Sequence, residues 1–517
     1  MMRPSSRRPV TTGRGGGVLR RAEAVAGCVA VAFLATGNSA GEPPPAPGPT
    51  AIDRYLADSL DATRIPGMAV AIVRGGEVMH MAGYGTDGRA RPVSPQTPFR
   101  IGSLTKSFTA AAVLQLAASG RIAIDASVQA YLRDFATADP NLAQRITVRH
   151  LLNQTSGIAD SGFPAINDDE DDLARRVASM RSARLVSEPG RAFHYSDANY
   201  QVLARLIEVV SGVPWARYLA ERVFAPLGMT GTVAAGTSAQ GSLAAPDLAP
   251  GHILLFGMPV ARPELDGLLA GSGGVISTAE DMGRWLVAQS AGGGPLLRPD
   301  DVALMQTPPS GVEGGYAMGW QLIAPGHGPR RLEHTGVLST YSAIQVLLPD
   351  SGLGFVLLFD GNSALADTAG LAAGLTALLT GNAQATKPRS TAAVAAVLGV
   401  TTLAVLALRV RGLRIARWQR RRTGQPRWTA LPGLAWLGLP VALLAGMPAL
   451  LGATIDRSFT FWQLWRAMPD VMIVIAVSAL SGTILAGVRI VALAQAPMKS
   501  RTSGDPLISQ RRRQYPQ

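Results

Sequence analysis

The sequence predicts an α/β (α+β) fold: an antiparallel sheet flanked by helices, a helical subdomain, and transmembrane helices toward the C-terminal end. Three observations predict it. Strand-like apolar runs cluster at the two ends of residues 51–380, a mainly helical stretch over 140–300 lies between them, and three long uncharged apolar runs follow Arg389. The chain has 517 residues, more than one ordinary core holds, so two or more units are expected.

Residues 1–40 carry an Arg-rich start up to Arg21, an apolar run from Ala24 to Thr36, and small residues ending at Ala40. That is the layout of a secretory signal peptide or, if it is not cleaved, of an N-terminal anchor. Arg7-Arg8 offers a weak twin-arginine pattern. Val25-Ala26-Gly27-Cys28 resembles a lipoprotein box, although much of the apolar run follows the cysteine. Residues 41–50, with Pro43 to Pro49, read as a stiff linker.

The segment 51–380 forms the main domain. Ile52, Tyr55, Leu56 and Leu60 place a helical stripe on Ala51–Ala62. Met68–Val73 and Val78–Met81 flank Arg74-Gly75-Gly76-Glu77 and read as a hairpin. Ser103–Ala118 reads as a helix stopped by Gly120. Leu332–Gly336, Ser342–Leu348 and Phe355–Phe359 supply the remaining strands, the last two joined by Pro349-Asp350-Ser351-Gly352, and Ala364–Leu379 closes with a helix. The acidic run Asp168–Asp172 reads as a solvated loop, with a calcium site as the alternative.

Beyond Arg389 the expected membrane spans are 391–408, 429–453 (with Pro440 and Pro448 as kink sites) and 471–488. The loop 409–428 holds eight arginines, and the 489–517 tail is also basic. The positive-inside bias puts both in the cytoplasm and the main domain outside a plasma or inner membrane. Net charge follows the same division. The +13 total is the sum of +5 for 1–40, −6 for 41–388 and +14 for 389–517. The basic excess flanks apolar segments, which favours a lipid bilayer as partner over nucleic acid. The one cysteine, Cys28, leaves the main domain no disulfide and no cysteine-held metal.

The chemistry begins from a scarcity. Only Lys106, Lys387 and Lys499 are lysines, so an arginine-biased chain keeps one in the body of its main domain. Arginine does not lose its proton at usable pH, whereas a buried lysine can. Lys106 follows Ser103 by one helical turn, which puts a weak nucleophile beside a candidate base. Burial and a helix N-terminus both favour the neutral amine. Two further segments can join that pair. Phe193 to Tyr200 carries Tyr195 and Asp197 from a loop into a helix, as a proton relay or as a packed tyrosine with a capping Ser196 or Asp197. His334-Thr335-Gly336 ends a strand, where Gly336 allows close backbone approach and the next amide can donate to an oxyanion.

Arg100-Ile101-Gly102-Ser103-Leu104-Thr105-Lys106 resembles the first motif of the class C β-lactamase, penicillin-binding-protein and D,D-peptidase-like serine hydrolase superfamily. Tyr195-Ser196-Asp197 resembles its Tyr-x-Asn motif, and His334-Thr335-Gly336 the His form of its Lys-Thr-Gly motif. His150-Leu151-Leu152-Asn153-Gln154-Thr155-Ser156-Gly157, Gly271-Ser272-Gly273-Gly274 and Ser277-Thr278-Ala279-Glu280-Asp281 are similar to its connecting segments. The resemblance covers about 50–380. It implies a β-lactamase/transpeptidase-like fold with the site between the sheet and helical parts, and no metal or organic cofactor. It implies Ser103 as acylated nucleophile, Lys106 as base or relay and Tyr195 as partner acid or base. His334 would complete the catalytic set at the third-motif position, Thr335 and Gly336 would line the site beside Asp197, and the Ser103 and Val337 amides would be the oxyanion donors. Two departures stand out. Asp197 replaces Asn and can pair with Lys106 and hold it charged. His334 replaces Lys, so the third motif's positive charge depends on pH. The expected function is an extracytoplasmic hydrolase of a small peptide, amide, ester or β-lactam-like substrate. The alternatives are a non-catalytic sensor that captures penicillin or wall fragments and, further off, a structural membrane protein.

Overall fold

The computed structural model describes residues 48–160, 172–323, 329–382, 386–422, 427–455 and 460–495. The signal-like segment 1–40, the linker up to residue 47, the acidic run before Asp172 and the tail after Gln495 lie outside the described residues.

The strands run β1 (Gly67–Arg74), β2 (Glu77–Gly85), β3 (Phe99–Arg100), β4 (Val233–Ala234), β5 (Gly251–Leu255), β6 (Met258–Arg262), β7 (Val275–Ser277), β8 (Tyr316–Ala317), β9 (Trp320–Ile323), β10 (Arg331–Val337), β11 (Ser342–Leu348), β12 (Leu353–Phe359) and β13 (Gly361–Asn362). Seven form an antiparallel sheet in the order β2-β1-β12-β11-β10-β9-β8. The chain thus enters the sheet twice, and everything between β2 and β8 is carried outside it. That connection holds the helical subdomain.

β11 and β12 are buried along their whole length, and β1 along all but its last residue. Helices cover both faces, which is why these strands read as continuous apolar runs rather than alternating ones. Met68, Val70 and Ile72 face one core with Ile344, Val346, Leu357 and Phe359. That core is closed by the stripe of α1 (Pro49–Thr63) and by Leu371 and Leu375. Ala69, Ala71 and Val73 face the opposite core, which contains helix α2 (Thr105–Ala118). The subdomain is built from α3 (Pro140–Arg145), α4 (Val148–Leu152), α5 (Leu173–Ser179), α6 (Asp197–Ser211), α7 (Trp215–Leu219) and α8 (Ser238–Ala244). Next come α9 (Ala279–Ser290), α10 (Pro299–Met305) and α11 (Thr368–Leu379).

The 140–300 stretch is mainly helical, as expected, and also carries four short strands, β4 to β7. β3, β7 and β4 form a small sheet, and β5, β6 and β13 form another. The β5–β6 turn is Phe256-Gly257, both at positive φ, the backbone of a two-residue hairpin turn. A phenylalanine at φ 50° is not a turn residue that pattern reading looks for, and all of β6 is exposed, so no apolar alternation marks it.

The expected spans fall on helices α12 (Thr391–Gly412), α14 (Leu431–Ile455) and α16 (Pro469–Ala494), of which the first and third are longer than expected. The expectation ended spans at the first charge. The helices continue through Arg409, Arg411 and Arg489, because arginine is a good helix former whose stem tolerates an apolar boundary. The loop 409–428 is not all loop, since Ile415–Arg421 is helix α13. A short helix α15 (Phe461–Ala467) leads into α16 and exposes Trp462 and Trp465. α12, α14 and α16 are long and apolar enough to cross a membrane, with mean hydropathy of 2.2, 1.9 and 2.3 over their most apolar stretches. The hairpin tip meets them: buried Asp470 at the start of α16 accepts the Phe256 N–H at 2.8 Å, and Gly257 lies against Thr391 and Ala395 of α12.

Candidate active site

β3 delivers the chain to Gly102, whose φ of 51° an L side chain rarely adopts. One tight helical turn, Gly102–Leu104, then leads into α2. Gly102 lies close to Gly336 and Val337 of β10, so a Cβ there would fall 3.0 Å from the Val337 nitrogen. From the other side, a Cβ on Gly336 would collide with the Ile101 carbonyl oxygen. Glycine at both positions lets β10 press against the Gly102–Leu104 turn, bringing the Val337 amide beside the turn that carries Ser103. Ser103 is half-buried, whereas Thr105 through Leu114 are buried without a break. Thr105 Oγ1 accepts the Val275 N–H and Thr109 Oγ1 donates to the Gly271 carbonyl, fixing α2 against 271–275.

Lys106 is fully buried, and its ammonium has three protons and three acceptors. Nζ lies 3.0 Å from Ser103 Oγ, 2.5 Å from Asp197 Oδ1 and 3.0 Å from the Ser272 carbonyl oxygen. Of the two expectations, a neutral amine from burial and an ammonium held by Asp197, the geometry supports the second. Burial, the largest single influence, pulls the Lys106 pKa down, but the Asp197 charge and the Tyr195 side chain with their hydrogen bonds outweigh it. The net direction is upward, so Lys106 rests as an ammonium that donates to Ser103.

Tyr195 and Asp197 are held by the His150–Gly157 segment. Gln154 Oε1 accepts the Ser196 N–H and the Asn199 side-chain amide, and Ser156 Oγ donates to Asn199 Oδ1. Tyr200 Oη donates to the Leu152 carbonyl. Ser196, not Asp197, caps α6: its Oγ accepts the Ala198 N–H. Asp197 sits in the first turn and points its carboxylate at Lys106, whose Nζ also lies 4.8 Å from the Tyr195 ring centroid. The Ser277–Asp281 segment is structural, with Thr278 capping α9 and Asp281 accepting from Gly231, Thr232 and Arg284.

His334 is buried on β10 and does not carry the pH-dependent charge expected of it near neutrality. Burial first, then the Lys106 charge, push its pKa down to about 4, against the opposing Thr335 carbonyl and Asp197. Nδ1 lies 2.8 Å from the Thr335 carbonyl oxygen, an acceptor, so the proton sits on Nδ1. Nε2 then accepts the Tyr316 hydroxyl at 3.1 Å. Burial holds Tyr316 well above the ordinary phenol range, so it stays a donor. Tyr316 stacks on Phe193 and meets Tyr195 edge-on. Thr335 and Val337 alternate outward from buried His334 and Gly336 and are exposed. Sequence reading missed Tyr316, which sits on a two-residue strand without a pattern of its own, and the role of the Ser272 carbonyl, although the Gly271–Gly274 run was a signal.

A seven-stranded antiparallel sheet with Ser-x-x-Lys at the head of a buried helix, roofed by a helical subdomain, defines the fold class of the serine hydrolases that includes penicillin-binding proteins. The chain belongs to the Beta-lactamase family, whose model matches residues 52–378. It is 28% identical over 327 residues to Protein flp of Staphylococcus aureus (strain N315), a match covering 60% of this chain and 63% of that protein's length. It is also 28% identical over 335 residues to Penicillin-binding protein 4 of Amycolatopsis lactamdurans, covering 60% of this chain and 86% of the relative. The octameric penicillin-binding protein homologue from Pyrococcus abyssi shares the fold, with TM-score 0.56 and 24% identity over 66% of this chain and 79% of that one.

Proposed function

We propose that the chain is a membrane-anchored extracytoplasmic serine hydrolase that turns over a small peptide, amide or ester through an acyl-enzyme on Ser103. The observation that carries this reading is Ser103 Oγ at 3.0 Å from the buried Lys106 Nζ, with that Nζ fixed by Asp197 and Ser272. In the proposed sequence Tyr195 or Lys106, once deprotonated, takes the Ser103 proton as Oγ attacks the carbonyl. The Ser103 and Val337 amides stabilise the oxyanion, and the conjugate acid protonates the leaving group. Water then attacks the acyl carbonyl with the same groups in reverse. His334 and Tyr316 hold β10 in place, with Thr335 and Gly336 lining the substrate strip.

One observation favours the sensor reading as a second possibility. An ammonium with all three protons engaged cannot accept the serine proton, which suits slow acylation and slower release. Burst kinetics with an activated ester and with a penicillin separate the two: repeated turnover after the burst supports the hydrolase, and a stable adduct with no release supports a penicillin- or wall-fragment-binding sensor.

The same geometry sets a pH dependence. Asp197 raises the Lys106 pKa, so the base becomes available only as pH rises, and activity should climb toward alkaline pH. Asp197→Asn removes the charge and leaves burial, whose effect on a lysine is downward. The rising limb should therefore move to lower pH, and β-lactam acylation should strengthen as an amide donor is restored. His334, near 4, adds no limb between pH 5 and 8. The pH profiles of both forms on one activated ester check this; an unmoved limb would retire the coupling of Asp197 to the base.

For topology, we propose a cleaved or anchoring N-terminal segment, α12, α14 and α16 as spans of the plasma or inner membrane, and a cytoplasmic 409–428 segment and tail. Exposed Trp462 and Trp465 suit one interface, and exposed Trp428 the other. A reporter tag after Pro388 should be accessible from outside, while tags beside Ile415 and at the C-terminus should be protected. Equal protection of the tags at Pro388 and Ile415 would remove α12 as a span.

A further inference from the structure

The arginine-rich end of the helix bundle holds an organised cluster rather than a diffuse charge. Arg409 near the end of α12 lies against Gly482 of α16, and Gly412 lies against Leu485 and Arg489. Arg489 is within electrostatic reach of both Arg409 and Arg422. Trp418 of α13 takes two guanidinium groups, with Arg422 at 5.2 Å and Arg489 at 5.3 Å from its ring centroid. Two bonds of 2.9 Å from Arg422 to Thr429, one to its hydroxyl and one to its carbonyl, tie that arginine to the head of α14. Gln419 fixes α13 to the Ala492 carbonyl. All three arginines are half-buried, and Arg489 Nε is buried without a hydrogen-bond partner.

Three guanidinium groups gathered at an apolar boundary repel one another and need an anion. Among the described residues no carboxylate lies there. Residues 389–517 hold 17 lysines and arginines against three aspartates. Among the described residues beyond Arg389 the only carboxylate is Asp470, which is bonded to Phe256 at the far end of α16. At helical rise that is roughly 28 Å from Arg489. Guanidinium groups match phosphate oxygens with paired N–H donors, and a tryptophan at the same depth suits the headgroup layer.

We propose that Arg409, Arg422 and Arg489, gathered around Trp418, form a binding site for the phosphate of an anionic phospholipid in the leaflet next to segment 409–428. The proposal rests on the reading of α12, α14 and α16 as membrane spans. The lipid phosphate neutralises the cluster and pins α13 between α12 and α16.

The test is native mass spectrometry of the full chain released from nanodiscs of phosphatidylcholine mixed with phosphatidylglycerol. The wild type should retain phosphatidylglycerol preferentially. The double variant Arg409→Gln/Arg489→Gln should lower that preference on the order of tenfold or more. The double variant Arg417→Gln/Arg420→Gln, on the exposed face of α13, removes the same charge outside the cluster and should leave the preference nearly unchanged. Fluorophosphonate labelling of Ser103 reports that each variant is folded. Equal losses from the two double variants, no preference in the wild type, or displacement of the lipid by inorganic phosphate would each overturn the site. Carbonate extraction of the wild type is read separately: release from the membrane would refute the spans themselves.

Discussion

Ser103→Ala should abolish covalent labelling by a fluorophosphonate and lower turnover of an activated ester on the order of 10³-fold or more, with folding intact. The substitution removes only Oγ from a half-buried position. Lys106 keeps Asp197 and the Ser272 carbonyl, so the buried ammonium loses one of three partners and remains neutralised. The glycine contacts between Gly102 and β10 do not involve the side chain and should persist. Loss of activity with an unchanged melting temperature therefore isolates the nucleophile. Labelling that survives, or a large fall in stability, would detach the chemistry from Ser103.

Lys106→Arg carries the second largest expected effect, a loss on the order of 10² or more in rate. Arginine keeps the positive charge and its ion pair with Asp197, but it does not release a proton at usable pH. It is also larger, in a site with no exposure. A melting curve is needed beside the kinetics, and Lys106→Gln, which is smaller, separates crowding from chemistry. If both variants melt near the wild type and both lose activity, the amine's proton is required. Near-normal turnover in the Arg variant would mean that Lys106 acts on Ser103 only through its charge.

The parts of this molecule that were legible in its sequence share a physical cause. β11 and β12 are buried on both faces and bounded by Pro349 to Gly352, so composition alone marks them. Ser103 and Lys106 stand out because lysine is scarce and one helical turn is a fixed distance. The charge on Lys106 was legible only as one of two alternatives, a neutral amine or an ammonium paired with Asp197. It depends on whether burial or a carboxylate 91 residues away dominates, and only the fold brings Asp197 to 2.5 Å. His334 shows the same dependence: a histidine in sequence carries no sign of the burial that keeps it neutral or of Tyr316, placed beside it by the pairing of β8, β9 and β10. The β5–β6 hairpin escaped because its turn uses phenylalanine at positive φ and its outer strand is exposed along its whole length.

The central claim is an acyl-enzyme at Ser103, and mapping the adduct tests it most directly. The full chain in detergent is reacted with an activated ester at alkaline pH, quenched in acid and digested, and the modified peptide is sequenced by mass spectrometry. The account predicts one acyl group on Ser103, decaying as product forms. Ser196, whose hydroxyl is engaged with Asp160 and the Ala198 amide, should stay unmodified. An adduct on Ser196, or steady turnover with no adduct on Ser103 at any quench time, would contradict it.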